Sequence, residues 1–205
     1  TAIGIGTIYD DGTGSYFAAN NTTKNSSMPN GVILDDDRSL SINNISVNEG
    51  SPYAVFTVSG ANGQLVKLSL SNGTATGGTN TPTDGGVDYG TNLQYLQGNS
   101  WVNYTPNSYV AISTGTTLLV RTTIVNDTLF ETGHNFMLTA INTGGTPSTG
   151  GLGTIYDDGT GSYFAANNNT GIPNIPNGVI LDDDRVLIVS DVTVNEASPY
   201  AIFTI

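Results

Sequence analysis

The sequence predicts an all-β fold, an antiparallel β-sandwich repeated in tandem. Three observations carry this: a long internal repeat, a composition hostile to helices, and short alternating apolar runs between turn signals. Gly6 through Asn21 returns residue for residue as Gly153 through Asn168, an offset of 147. Gly31 through Arg38 returns unchanged as Gly178 through Arg185 at the same offset, as do Val47-Asn48-Glu49 and Pro52-Tyr53-Ala54. A constant period marks a duplicated structural unit, and this one is too long for a solenoid repeat of roughly 20–50 residues. It suits one folding domain plus a junction. On this reading residues 1–38 are the C-terminal part and junction of a preceding repeat, and 39–158 form a sandwich. Residues 159–185 form a junction segment, and 186–205 open the next repeat. That last stretch is too short to bury a core of its own. It is expected to pair with the N-terminal segment of a neighbouring molecule or to complete a sheet within its own chain.

Gly, Asn, Thr and Ser dominate, whereas the chain holds five Lys and Arg together and only three Glu. Such a mixture favours strands and turns over helices. Along the repeat, Leu40–Val47 reads as a first strand with a register break at Asn43-Asn44. Asn48 to Pro52 is a turn. Tyr53–Ser59 and Gln64–Ser71 follow, with Gly60-Ala61-Asn62-Gly63 between them as a hairpin signal. Asn72 to Gly90 is rich in Gly and Thr and reads as a long loop. Asn92–Leu96 and Trp101–Tyr104 flank a tight turn, and Tyr109–Ile112 and Thr117–Val125 come next. His134–Ile141 alternates cleanly, with Phe136, Leu138 and Ala140 on one face, and Leu152–Tyr156 closes the series. Seven or more short strands with turns between them argue a sandwich. Gly159–Asn177 is Asn-, Gly- and Pro-rich and differs between copies, yet its length is the same, so it is expected to be partly ordered. Val179-Ile180-Leu181 within the junction segment reads as a short strand.

The net charge is −12, and its distribution says more than its size. Ten of fourteen Asp fall in four clusters, Asp10-Asp11, Asp35-Asp36-Asp37, Asp157-Asp158 and Asp182-Asp183-Asp184. Adjacent carboxylates repel, increasingly so as they leave water. Solvated turns tolerate this, and a hard cation removes it. Ca²⁺ requires several oxygens converging from flexible loops. Glu49, Glu131 and Glu196, the only Glu, each stand at a strand end. A cation shared by Asp182-Asp183-Asp184 and Glu196 would lock one repeat against the next. No EF-hand loop is present. With no Cys there are no disulfides and no thiolate metal sites. So few basic residues exclude nucleic acid as a partner, and no apolar run is long enough to insert in a membrane. His134 is the only His, so a His-rich metal site is excluded and a structural or surface role is expected. Trp101, with Tyr95, Tyr104 and Tyr109 nearby in sequence, could offer an aromatic sugar platform, although such residues more often pack a core. No nucleophile, base pair or cofactor fingerprint emerges, so no enzyme is expected.

Four segments in order carry a family resemblance. These are Gly73-Thr74-Ala75-Thr76-Gly77-Gly78, Asp88-Tyr89, Ile124 through Glu131, and Gly151 through Asp158. Together they resemble the Calx-beta motif, and the chain is similar to tandem units of very large bacterial surface proteins and RTX-type adhesins. The resemblance covers most of residues 39–158. It implies a seven-strand immunoglobulin-like sandwich that binds Ca²⁺ in loops at one end. The implied ligands are Glu49, Asp88, Asp127 with Glu131, and Asp157-Asp158 or Asp182-Asp183-Asp184, with Asp35-Asp36-Asp37 and Glu196 as repeat equivalents. Asn126 and Thr128 replace the Asp of the richest members, and His134 stands where an acid is common, which implies fewer ions. The resemblance implies an extender module of a secreted or cell-surface bacterial adhesin whose partners are neighbouring repeats. A sandwich that binds a glycan or protein by avidity is the alternative.

Overall fold

The structure is a computed structural model that describes residues 2–9, 14–23, 38–79, 86–113, 115–145, 148–175 and 188–205. It is all-β. No helix occurs among the described residues, and so none long and apolar enough to cross a membrane. One sheet is ordered β1 (Ser41–Ile42), β3 (Tyr53–Ser59), β10 (Thr117–Thr123), β7 (Gln94–Gln97), β8 (Ser100–Asn103). The second is ordered β2 (Ile45–Asn48), β12 (Ser148–Tyr156), β11 (His134–Asn142), β4 (Leu65–Asn72), β9 (Val110–Ala111). Within these two sheets the pairs are antiparallel except β2 with β12, where Ile45 to Asn48 lie beside Gly153 to Tyr156 in parallel. A small parallel pair, β5 (Gly77–Gly78) with β6 (Tyr89–Gly90), lies in the segment read as one long loop.

The core lies between the sheets, as alternation requires of strands with one buried face. Phe136, Leu138 and Ala140 of β11 are wholly buried while Met137 is exposed, so the expected alternation holds. Phe136 meets Phe56 of β3 edge-on, with ring centroids 5.7 Å apart, and stacks on Tyr89 at 4.5 Å. Such pairs add roughly 0.5–1.5 kcal/mol beyond the area they bury.

The break at Asn43-Asn44 proves to be a change of sheet rather than a flaw in one strand. Asn43 bonds β3, its Oδ1 accepting from the Thr57 amide at 2.7 Å and its own amide donating to the Thr57 carbonyl at 3.3 Å. Asn44 bonds the other sheet, its Oδ1 accepting from the Leu152 amide at 2.9 Å. The hairpin expected at Gly60–Gly63 is corrected: β3 and β4 do not pair but belong to opposite sheets. β3 pairs with β1 and β10 while β4 pairs with β11 and β9, so the partner strands, not the turn residues, make this segment an arch across the core. Gln64 closes this arch. Its buried amide accepts from the Ala61 amide and donates to Asn142 Oδ1 and the Arg38 carbonyl. The tight turn between β7 and β8 does form a hairpin, with Gly98 at φ 62°, where glycine carries no steric penalty.

The junction packs on the sandwich as far as Ile175. Phe164 is buried in the core, and Ser162 bridges Val47. Gly161, at φ 90°, lies so close to Val47 and Asn48 that a Cβ would meet their backbone at 2.6 Å. Trp101 donates its indole N–H to the Asn168 carbonyl at 2.8 Å, and Arg121 donates to the Ala166 carbonyl at 2.8 Å. The Arg121 guanidinium stands over both Tyr53 (3.7 Å) and Trp101 (4.2 Å). The Val179-Ile180-Leu181 strand lies outside the described residues.

Sequence repetition does not reproduce strand pairing at the chain's flanks. Gly153–Tyr156 sits between two neighbours as part of β12, whereas the identical Gly6–Tyr9 is exposed and belongs to no ladder. Residues 188–205 complete no sheet of this chain. Their local bonds nonetheless match those of the full unit. Ser190 and Thr204 exchange two bonds as Asn43 and Thr57 do, and Ser198 bonds the Asn195 carbonyl as Ser51 bonds that of Asn48. Turn chemistry is local, while a ladder needs its partner strand.

Candidate metal centre

Five loops and strand ends meet at one pole of the sandwich. Glu49 lies in the turn after β2, its amide donating to the Tyr156 carbonyl at 2.9 Å, which fixes the turn beside the end of β12. Asp88 immediately precedes β6, Asp127 and Glu131 lie between β10 and β11, His134 opens β11, and Asp157 follows β12. Glu49, Asp88, Glu131, His134 and Asp157 line one small cavity with Val125 and Ile155. Its volume, ≈ 10 Å³, is about the minimum that admits one water-sized particle.

Backbone amides hold these carboxylates in place. The Asp127 amide donates to Glu49 Oε1 at 3.1 Å, and the Glu131 amide to Asp157 Oδ2 at 2.8 Å. The Thr76 amide donates to Asp88 Oδ2 at 2.7 Å. His134 Nδ1 then lies 2.7 Å from Asp88 Oδ1 and 3.1 Å from Glu131 Oε2. Asp88, Glu131 and His134 thus offer three donor atoms within 4.8 Å of one another, a group that could hold a metal ion.

The pole concentrates buried negative charge. Glu49 and Asp157 are 6% and 5% exposed. Among the described residues Glu49 Oε2 is buried without a hydrogen-bond partner. A buried acceptor in that state costs about 1–3 kcal/mol, more when charged. Burial, with the Asp157 carboxylate beside it, pushes Glu49 up to about 9. Burial and the neighbouring Asp88 raise Glu131 to about 7. His134 is raised by its bond to Asp88. Each shift has the same physical content: negative charge here lacks compensation, which a proton, an imidazolium or a metal ion can provide.

The pole brings together Glu49, Asp88, Glu131 and Asp157 of the expected set, with Asp127 alongside. Asp127 turns its Oδ1 to the Leu129 amide at 2.8 Å. Asp158 is exposed and accepts from the Thr160 amide at 3.0 Å, capping the turn into the junction. Glu196 is exposed, unlike its buried repeat equivalent Glu49. Asp10, Asp11, Asp35, Asp36, Asp37, Asp182, Asp183 and Asp184 lie outside the described residues. His134, expected in a structural or surface role, sits half-buried in the cavity wall, bonded to two acids. Its place in the strand pattern hid this, because the first residue of a strand projects into a loop cluster rather than along a sheet face. The Trp101 ring, expected to pack more than to form a sugar platform, is engaged by Arg121 and by the junction.

A scan against protein-family models and a search of the curated proteins both returned no match.

Proposed function

We propose that the repeat is a structural extender of a long, secreted or cell-surface bacterial adhesin, and that Ca²⁺ at the Glu49–Asp157 pole rigidifies it. The observation that carries this reading is the buried, unpartnered Glu49 Oε2 beside the Asp157 carboxylate. Such a pair suits a hard divalent ion, which takes oxygen ligands from loops at about 2.3–2.6 Å. Glu49, Asp88, Glu131 and Asp157 would hold the ion, with Asp127 beside them. Asp157 leads directly into the junction, so an ion there would clamp the first turn of the unit to the root of its connection. The division of the first strand between two sheets and the parallel β2–β12 pair support an immunoglobulin-like sandwich of the Calx-beta type. The 147-residue period supports a role that makes sense when multiplied. No enzyme activity is proposed, and the engagement of Trp101 by Arg121 and the junction weighs against a glycan site there.

The test is solution scattering of a chain of several repeats, with chelator and with millimolar Ca²⁺. The reading expects a longer, stiffer particle with Ca²⁺. An unchanged maximum dimension would refute the stiffening.

A further inference from the structure

We infer that the Asp88–Glu131–His134 corner of the pole is a site for a transition-series divalent cation such as Zn²⁺, rather than part of a site for Ca²⁺ alone. The inference rests on the reading of the pole as a cation site and names a second class of ion for it. Ca²⁺ prefers oxygen, whereas imidazole suits Zn²⁺, Ni²⁺ and Cu²⁺. The nitrogen that faces the cavity is His134 Nδ1, 2.7 Å from Asp88 Oδ1 and 3.1 Å from Glu131 Oε2. Donors at about 2.0–2.2 Å from a tetrahedral zinc ion stand roughly 3.3 Å apart. His134 Nδ1 thus needs to part from each acid oxygen by less than about an ångström to admit the ion.

The corner is built rather than accidental. Asp88 Oδ2 is fixed by the Thr76 amide, which leaves Oδ1 directed at His134. The Glu131 backbone is anchored by its amide to Asp157, and its carboxylate meets His134. The independent sign of a missing positive charge is Glu49 Oε2, buried and unpartnered in the wall of the same cavity. Two carboxylates and one imidazole give a three-ligand set, the protein ligand count of open zinc sites. His134 Nδ1 would then exchange its proton for the metal, so binding releases a proton where His134 began protonated.

His134 is the only imidazole in the chain, which makes the test direct. The tag-free protein is labelled with ¹⁵N and titrated with Zn²⁺, and separately with Co²⁺ as an optical probe. The single pair of imidazole nitrogen resonances should move at Nδ1, and Co²⁺ should develop visible ligand-field absorption. His134→Asn should weaken Zn²⁺ by at least about tenfold, since even outer partners of a metal ligand are worth that much. His134→Asp should restore an oxygen set, weakening Zn²⁺ and strengthening Ca²⁺. Equal Zn²⁺ affinity in His134→Asn, or unmoved imidazole resonances, would overturn the inference. If Ca²⁺ still stabilises the protein in that event, the extender reading survives and only the second ion falls.

Discussion

Glu49 and Asp157, from the first turn and the last strand end of the sandwich, bury their carboxylates side by side. Among the described residues no basic side chain lines their cavity apart from His134. Like charges placed in this way oppose folding unless something positive joins them.

Glu49→Gln should therefore act with opposite signs in two buffers. In chelator the variant melts at or above the wild-type temperature, because a neutral amide replaces a desolvated acid and can donate to Asp157. In millimolar Ca²⁺ the wild type gains and the variant does not. An ion at 100 times its dissociation constant contributes about 2.7 kcal/mol, which is on the order of 10 °C for a domain of this size. Mg²⁺ should contribute far less, since it sheds water reluctantly. Calorimetry in the two buffers decides it, and parallel losses in both would show Glu49 to be a purely structural acid.

The pH dependence of the ion-free protein follows from the same groups. Glu49 titrates near 9 and Glu131 near 7 when folded, both above the ordinary 4.5. Between those values the folded state holds protons that the unfolded state has lost, so stability falls as pH rises from about 4.5 toward 9. His134, raised above 6.5 by Asp88, acts in the same direction: its contribution is complete below 6.5 and is lost as pH passes its folded value. Melting temperature in chelator should thus decline from pH 5 to pH 9. Added Ca²⁺ should flatten or reverse the decline, because the ion needs the deprotonated acids.

Asn43 and Asn44 fix the change of sheet through side-chain bonds to Thr57 and Leu152. Each Asn→Ala change should cost about 0.5–1.5 kcal/mol, near the low end because both bonds are exposed. Urea titrations should find the double variant close to additive if the two sheets are bonded independently. A strongly non-additive result would show that the two bonds form as one unit.

Arg121 holds the junction by packing between Tyr53 and Trp101 and bonding the Ala166 carbonyl. Arg121→Met removes that bond and both ring contacts. Limited proteolysis should then cut within residues 159–175 well before the sandwich is attacked. Trp101 emission should shift to the red in the variant, and in the wild type it should not respond to sugars.

Much of this fold is legible in the sequence. The alternation of Phe136, Leu138 and Ala140 and the span of Tyr53–Ser59 follow from period and turn residues alone. The sheet to which each strand belongs does not, because Gly60–Gly63 suits a hairpin and an arch equally and only the partner strands decide. Glu49 and Asp157 could be singled out as strand-end acids. His134 could not, since nothing local to a lone His at a strand start tells which loops will fold over it. Gly6–Tyr9 and Gly153–Tyr156 show the limit most plainly, with one sequence inside a ladder and outside one.

The parallel pairing of Ile45–Asn48 with Gly153–Tyr156 has a mechanical meaning. These strands stand near opposite ends of the unit's sequence yet lie side by side and point the same way. Tension applied through the two ends of the unit drags them past each other along their length. The bonds between them are then loaded together in shear rather than opened one after another like a zip. A unit so arranged yields late and abruptly under stretch, and an ion at Glu49 and Asp157 would sit just beyond the Asn48–Tyr156 end of that seam.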